Sequence, residues 1–490
     1  MSELWELSAE ETARRVRARE ISAVDVVESA LARTSRVEPL IRAWLELFED
    51  DALERAAGID RNPIGPLAGV TVSLKDNLNM AGWPLTCGSK ILSGYVAPYT
   101  ATAIQQLLDA GAVILGRANM DEFAMGSSCE NSAYQITRNP WDLATVPGGS
   151  SGGPAAAVAS GSATIGIGSD TGGSVRQPAA LCGLVGVKPT WGRVSRYGLV
   201  AFASSTDQIG PMTRNVRDAA LVTTVLAGPD SRDSTCSTRP TEDYLAGIEE
   251  GIEGMRVGVI KEIDASTFDP ASNRVWRESL DRLQAAGAEL VEVSVPSLDA
   301  AIAVYYVIAM SEASANLARF DGVRYGRRAE QADNLLDMYL ASRSEGFGPE
   351  VKRRIMLGTF ALSSGYYEAY YGKARGVLEK MRQELNAALE KADAVVCPTS
   401  PGAAFRIGEK TDDPLSMYLS DIFTAPASLT GIPAVSVPSG LDDRGLPLSL
   451  QIMGRPFEEA AVFRMARAFE IQGSFQLAPT FRGGGGQLDA

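Results

Sequence analysis

The chain has no histidine in 490 residues. A nucleophile that hands its proton to an imidazole is therefore excluded, and any serine chemistry here must use another base. Cysteine is scarce: Cys87, Cys129, Cys182, Cys236 and Cys397 are odd in number, widely spaced and without a Cys-x-x-Cys pair. That pattern encodes neither a disulfide framework nor a zinc site, and it fits a reducing cytoplasm. Long apolar runs are also missing. The longest, Ala300 to Met310, is too short to cross a bilayer, so no membrane span is expected. The beginning, Met1-Ser-Glu-Leu-Trp-Glu6, is acidic where a secretory signal would be basic and then apolar, so export is not expected either. Basic charge is in deficit as well, 46 Lys and Arg against 60 Asp and Glu for a net charge of -14. Such a chain does not grip a polyanion by itself, and any RNA it serves is expected to be held by a partner.

What is present reads as one globular body: 45% of residues are hydrophobic and 22% charged, and the Gly483 to Gly486 run in the tail is the one window of disordered texture. Residues 1–60 read as a helical arm. Ser8 with Glu11 and Ser22 with Asp25 have N-cap spacing, and Val26, Val27, Ala30, Leu31 and Leu40 form an apolar stripe. From about 65 to 230 the texture alternates between short β-branched strands, helices and glycine turns, which predicts an α/β core with a central mixed sheet and helices on both faces. A polar, proline-bearing stretch at Asp230 to Thr241 separates this from a second part, about 255–480. There, residues 272–392 read as a mostly helical insertion. Buried strands return at Ala394–Val396, Ala434–Val437 and Pro447–Gly454, which predicts that the late segments rejoin the same sheet within a single domain.

Two glycine-serine segments carry the chemistry, Pro147-Gly-Gly-Ser-Ser-Gly-Gly153 and Gly168-Ser-Asp-Thr-Gly-Gly-Ser174. With imidazole absent, Lys75 is the natural base, since it ends the strand-like Gly69-Val-Thr-Val-Ser-Leu-Lys75 at a sheet edge. Gly148-Gly-Ser150-Ser-Gly152 fits a nucleophile elbow, but an α/β-hydrolase needs the missing histidine. The same loop opening a helix could cradle phosphate, which leaves a small-molecule kinase as a remote alternative; the Walker pattern is absent, since Gly372-Lys373 is followed by alanine. An amide hydrolase accounts for more residues. Glycines ahead of Ser174 let consecutive N–H groups of Thr171, Gly172 and Gly173 point at an oxyanion. Asp170 and Arg176 flank the loop and read as an ion pair that holds it. Ser151 reads as a turn or helix-start residue.

The two segments together, extended to Gly168-Ser-Asp-Thr-Gly-Gly-Ser-Val-Arg-Gln-Pro-Ala179, resemble the amidase signature family. Within it the chain is most similar to the A subunits of glutamyl-tRNA(Gln) amidotransferases. That likeness rests on Gly126-Ser-Ser-Cys-Glu-Asn-Ser132, Lys188-Pro-Thr-Trp-Gly-Arg-Val-Ser-Arg-Tyr-Gly198, Ser204-Ser-Thr-Asp-Gln-Ile-Gly-Pro211 and Arg353-Arg-Ile-Met-Leu-Gly358. The resemblance implies a single α/β domain and a Ser-cisSer-Lys triad, with Ser174 as nucleophile, Ser150 as the cis serine and Lys75 as base. Lysine titrates near about 10.4, so a neutral Lys75 requires burial that disfavours its charge by about 4 kcal/mol. The resemblance further implies glutamine as substrate, its α-carboxylate meeting Arg354, its α-amino group meeting Asp421, and Tyr305 or Tyr306 lining the pocket. It implies no cofactor in this chain: ATP, magnesium and glutamyl- or aspartyl-tRNA are expected on a partner, the kinase-transamidase B subunit, braced by a small C subunit. A free-standing amidase and an idle scaffold remain the competing expectations. One departure from the family pattern is Pro154, where serine is usual.

Overall fold

The computed structural model describes residues 3–263 and 268–473, and the Gly483 to Gly486 run lies outside them. Its centre is an eleven-stranded sheet: β1 (Trp44–Leu47), β2 (Thr71–Lys75), β3 (Val113–Ala118), β4 (Ile165–Asp170), β5 (Val185–Lys188), β6 (Gln208–Thr213), β7 (Arg256–Ile260), β8 (Glu289–Val293), β9 (Ala394–Pro398), β10 (Ala434–Leu441) and β11 (Pro447–Met453). The spatial order is β1-β3-β2-β4-β6-β5-β10-β11-β9-β7-β8. It is mixed, with β2 parallel to β3 and β4 and β6 antiparallel to β4 and β5. The late strands do rejoin the early ones, because β10 pairs antiparallel with β5 and joins the two parts of the chain into one sheet.

Strand periodicity shows that both faces of this sheet are covered. In β9, Val395 and Cys397 pack into one apolar cluster with the helix Ala301–Asn316, whereas Ala394 and Val396 pack into another with the helix Glu459–Ile471. Successive side chains of a strand point to opposite faces, so the two clusters lie on opposite sides. Helices therefore flank the sheet on both.

The N-terminal segment folds as its caps predict. Ser8 Oγ accepts from the Glu11 N–H at 3.1 Å and Ser22 Oγ from the Asp25 N–H at 2.9 Å, which start the helices Ala9–Arg17 and Ala23–Ile41. It is not purely helical, since β1 follows and pairs antiparallel with β3 at the sheet edge. The insertion likewise contains one strand, β8, before the helices Ala301–Asn316, Leu335–Gly346, Pro349–Ala361 and Lys373–Lys391. The helical stretch Pro296–Arg319 is long and apolar enough to cross a membrane, and most of it is buried inside the fold against the sheet and the neighbouring helices.

Candidate active site

In β2 the residues Val72 and Leu74 face an apolar cluster, which turns Thr71, Ser73 and Lys75 to the other side of the sheet. Lys75, the last residue, thereby reaches under the glycine-serine loops with no exposure to water. Its Nζ donates to Ser150 Oγ at 2.7 Å, to Ser169 Oγ at 3.1 Å and to the Ser169 carbonyl at 3.2 Å. Burial pushes its pKa from 10.5 down to about 7, against the pull of Asp121 and Asp170. Near neutrality a large share of this lysine is therefore free amine.

Ser150 follows a cis Gly149–Ser150 peptide. Its loop is held from three directions: Asp121 N–H donates to the Ser150 carbonyl, Gly149 N–H donates to Gln177 Oε1 at 3.0 Å, and Gln177 Nε2 donates to the Ser127 carbonyl at 2.9 Å. Pro154 is the third residue of the helix Gly152–Ala159. First-turn N–H groups have no intrahelical acceptor, so proline there removes no helical bond. Ser151 starts this helix, and its N–H donates to the Ser174 carbonyl at 3.1 Å. Among the described residues no hydrogen bond joins the hydroxyls of Ser150 and Ser174, whose loops are linked through the backbone.

Ser174 lies between β4 and the helix Arg176–Leu181 and is 7% exposed. Asp170 and Arg176 pair bidentately across its loop, with Nε at 3.0 Å and Nη2 at 2.8 Å, both fully buried. Burial alone would raise the Asp170 pKa, but the Arg176 charge overrides it and the pKa is lowered. Arg176 continues to the Thr424 carbonyl and Gln451 Oε1, which anchors the loop to the C-terminal strands. Thr171 is fixed by its hydroxyl, which donates to Asp207 Oδ1 at 2.7 Å. Gly172 and Gly173 are glycine because of what approaches them. A Cβ on Gly172 would stand 2.5 Å from the Tyr305 ring, and one on Gly173 would stand 2.2 Å from Thr424 Oγ1 and 3.2 Å from Asp421 Oδ1.

The same contacts bring the expected substrate residues to the Ser174 loop. Asp421 is buried; Ser127 Oγ donates to its Oδ2 at 2.6 Å while Oδ1 has no partner. Burial raises its pKa to about 7, with Ser127 and Arg354 pulling the other way. Its side chain therefore caps no helix turn at Thr424. Arg354 is buried too, not on a solvated helix face, and its Nε donates to Glu350 Oε1 at 2.7 Å. Its guanidinium carbon lies 5.1 Å from the Tyr306 ring centre and 5.3 Å from that of Tyr418. Tyr305 and Tyr306 pack edge to face at 5.0 Å. Lys75, Ser150, Ser174, Thr171, Gly172, Gly173, Asp421, Arg354, Tyr305 and Tyr306 thus fall in one region of the fold.

The sequence pattern of the Amidase family matches residues 25–463. The chain belongs to the amidase family. It is 50% identical over 486 residues to a protein of Thermoanaerobacter pseudethanolicus named as the A subunit of glutamyl-tRNA(Gln) amidotransferase, covering 98% of this chain and 99% of that one. A protein of the same name from Symbiobacterium thermophilum is 52% identical over 470 residues, covering 95% and 96%. Among solved structures, the A subunit of the Thermotoga maritima glutamyl-tRNA(Gln) amidotransferase superposes with a TM-score of 0.81 at 43% identity, covering 97% and 98%. The peptide amidase of Stenotrophomonas maltophilia has the same TM-score at 31% identity, covering 97% and 99%. The fold is thus common to amidases of different use.

Several residues of the candidate site were assigned no role by the sequence. Ser127 and Asp207 stood in motifs that suggested only kinship, and their partners Asp421 and Thr171 are distant in the chain. Gln177, which ties the cis-serine loop to the Ser127 loop, likewise stood in a motif that gave it no role, and Glu350, which pairs with Arg354, had no distinguishing pattern at all.

Proposed function

We propose that this chain is the glutaminase subunit of a tRNA-dependent amidotransferase. Ser174 Oγ attacks the side-chain amide carbon of glutamine, giving its proton to Ser150 as Ser150 gives its own to neutral Lys75. The oxyanion is received by the N–H groups of Thr171, Gly172 and Gly173. The proton returns through Ser150 to the amide nitrogen, ammonia leaves, and water hydrolyses the γ-glutamyl ester. The free ammonia passes to the kinase-transamidase B subunit, where ATP and magnesium activate glutamyl-tRNA(Gln), with the small C subunit bracing the pair. The setting is cytoplasmic, in keeping with five unpaired cysteines.

The observation that carries this reading is that Asp421 and Arg354 are both buried in the region of the Ser174 loop with bonding capacity to spare: Asp421 Oδ1 has no hydrogen-bond partner, and Arg354 is held at Nε by Glu350 while its terminal nitrogens take no hydrogen bond among the described residues. Buried polar groups left unpaired are disfavoured by about 1–3 kcal/mol each. An amino acid amide supplies both missing partners, an α-ammonium and an α-carboxylate. A plain amide supplies neither, which disfavours a free-standing amidase. The names of the 50% identical relatives point the same way.

The test measures ammonia and amidated tRNA together, for the chain alone and with the B and C subunits, ATP, magnesium and glutamyl-tRNA(Gln), with aspartyl-tRNA(Asn) assayed in parallel. The reading expects glutamine hydrolysis to rise in the complete complex and to be coupled to tRNA amidation. Efficient hydrolysis of simple amides by the lone chain, indifferent to its partners, would contradict it.

A further inference from the structure

Glu350 has an ordinary explanation. It stands in the first turn of the helix Pro349–Ala361, where an acid suits the helix dipole, and four residues before Arg354, a spacing that favours an ion pair. That explanation does not cover its burial or its third partner. Glu350 Oε1 accepts from Arg354 Nε and also, at 2.8 Å, from the hydroxyl of Tyr418, which comes from a different part of the chain. The other oxygen takes Arg353. Tyr418 in turn stacks on Tyr306 with ring centres 3.9 Å apart, and both rings lie against the Arg354 guanidinium, with Phe202 at 5.7 Å. One carboxylate therefore fixes the guanidinium and a tyrosine of the cage that holds it.

This arrangement decides which edge of Arg354 is open. A guanidinium can grip a carboxylate in two planar ways, end-on through its terminal nitrogens or side-on through Nε and one terminal nitrogen. Glu350 occupies Nε. Only the end-on edge is left, and rotation of the plane is opposed by the Tyr306 and Tyr418 rings. On the glutaminase reading above, we propose that Glu350 is a positioning residue that holds Arg354 to end-on capture of the substrate α-carboxylate, and so fixes the length of side chain that reaches Ser174. The device selects glutamine over asparagine, which is shorter by one methylene. A guanidinium released from Glu350 would accept the carboxylate side-on as well, move the amide relative to Ser174, and blur that choice.

The experiment compares the complete complex carrying wild-type chain, Glu350→Ala, Glu350→Gln or Tyr418→Phe, with ammonia release measured separately from glutamine and asparagine. Wild type must first release ammonia from glutamine; if it does not, the glutaminase reading fails and this proposal with it. Given that activity, Glu350→Ala is expected to raise KM for glutamine about tenfold, to hold kcat within about threefold, and to narrow the glutamine-to-asparagine ratio of kcat/KM about tenfold. Glu350→Gln keeps an oxygen that accepts from Arg354 and Tyr418, so it is expected to stay within about threefold of wild type in all of these. Tyr418→Phe loosens Glu350 without removing it and is expected to raise KM about threefold with kcat held. An unchanged KM and ratio in Glu350→Ala would overturn the proposal, as would a Glu350→Gln variant that tracks the alanine. If Glu350→Ala yields no soluble complex, Tyr418→Phe decides, and a wild-type KM there overturns it.

Discussion

The Nζ of Lys75 and the Oγ of Ser150 lie 2.7 Å apart with neither side chain exposed to water. A lysine whose pKa is lowered to about 7 by burial is half free amine at neutral pH, so kcat for ammonia release is expected to rise with pH and level off above about 7. Guanidinium stays protonated at any working pH, so Lys75→Arg is expected to be as inactive as Lys75→Ala. Near-normal turnover by the arginine variant would make Lys75 an electrostatic helper and call for a different base.

Burial of this amine also has a signature in stability. The folded-state pKa of about 7 lies below the ordinary 10.5, so between those values the unfolded chain binds more protons and stability rises with pH. The penalty is full below about 7 and gone above 10.5. Lys75→Met removes it, and the variant is expected to be more stable at pH 7 by up to about 4 kcal/mol, with the advantage shrinking towards pH 10. Urea unfolding of both proteins at the two pH values measures this, and an advantage that grows with pH would refute the assignment.

Asp421 and Arg354 are expected to act on substrate binding. Asp421→Asn and Arg354→Ala should each reduce kcat/KM for glutamine by about 2–3 kcal/mol, while butyramide, which lacks both charged groups, is affected far less. The raised Asp421 pKa of about 7 adds a pH term: as pH falls through that value the carboxylate is protonated, and KM for glutamine should rise. Equal losses on both amides would mean that the two residues only support the fold.

Local physics made much of this legible in the sequence. The alternation ending at Lys75 marked a strand, although β2 lies inside the sheet between β3 and β4 and not at its edge, and the caps at Ser8 and Ser22 were marked by spacing alone. Strands that break the local rules were not legible. β6 contains Gly210 and Pro211, poor strand formers, yet it sits between β4 and β5; it meets β5 only through Met212 and Thr213, so Pro211 lies beyond that ladder. β1 and β8 are short edge strands in otherwise helical stretches. The site's long-range pairs were not legible either. Ser127 and Asp421 are 294 residues apart, and nothing near either residue announces the other. Glu350 and Arg354 are neighbours in the chain, but their spacing is that of any surface ion pair, and it is burial that sets them apart.

The most direct test of the central claim is to trap the acyl-enzyme. The complex is incubated with glutamine, quenched in acid and digested, and the peptide bearing Ser174 is examined by mass spectrometry, with the Ser174→Ala chain in parallel. The account predicts a γ-glutamyl ester on Ser174 in the wild-type protein, and neither adduct nor ammonia release from Ser174→Ala, which keeps its fold because the change deletes a single oxygen. An adduct on a different residue, or undiminished ammonia release by Ser174→Ala, would contradict it.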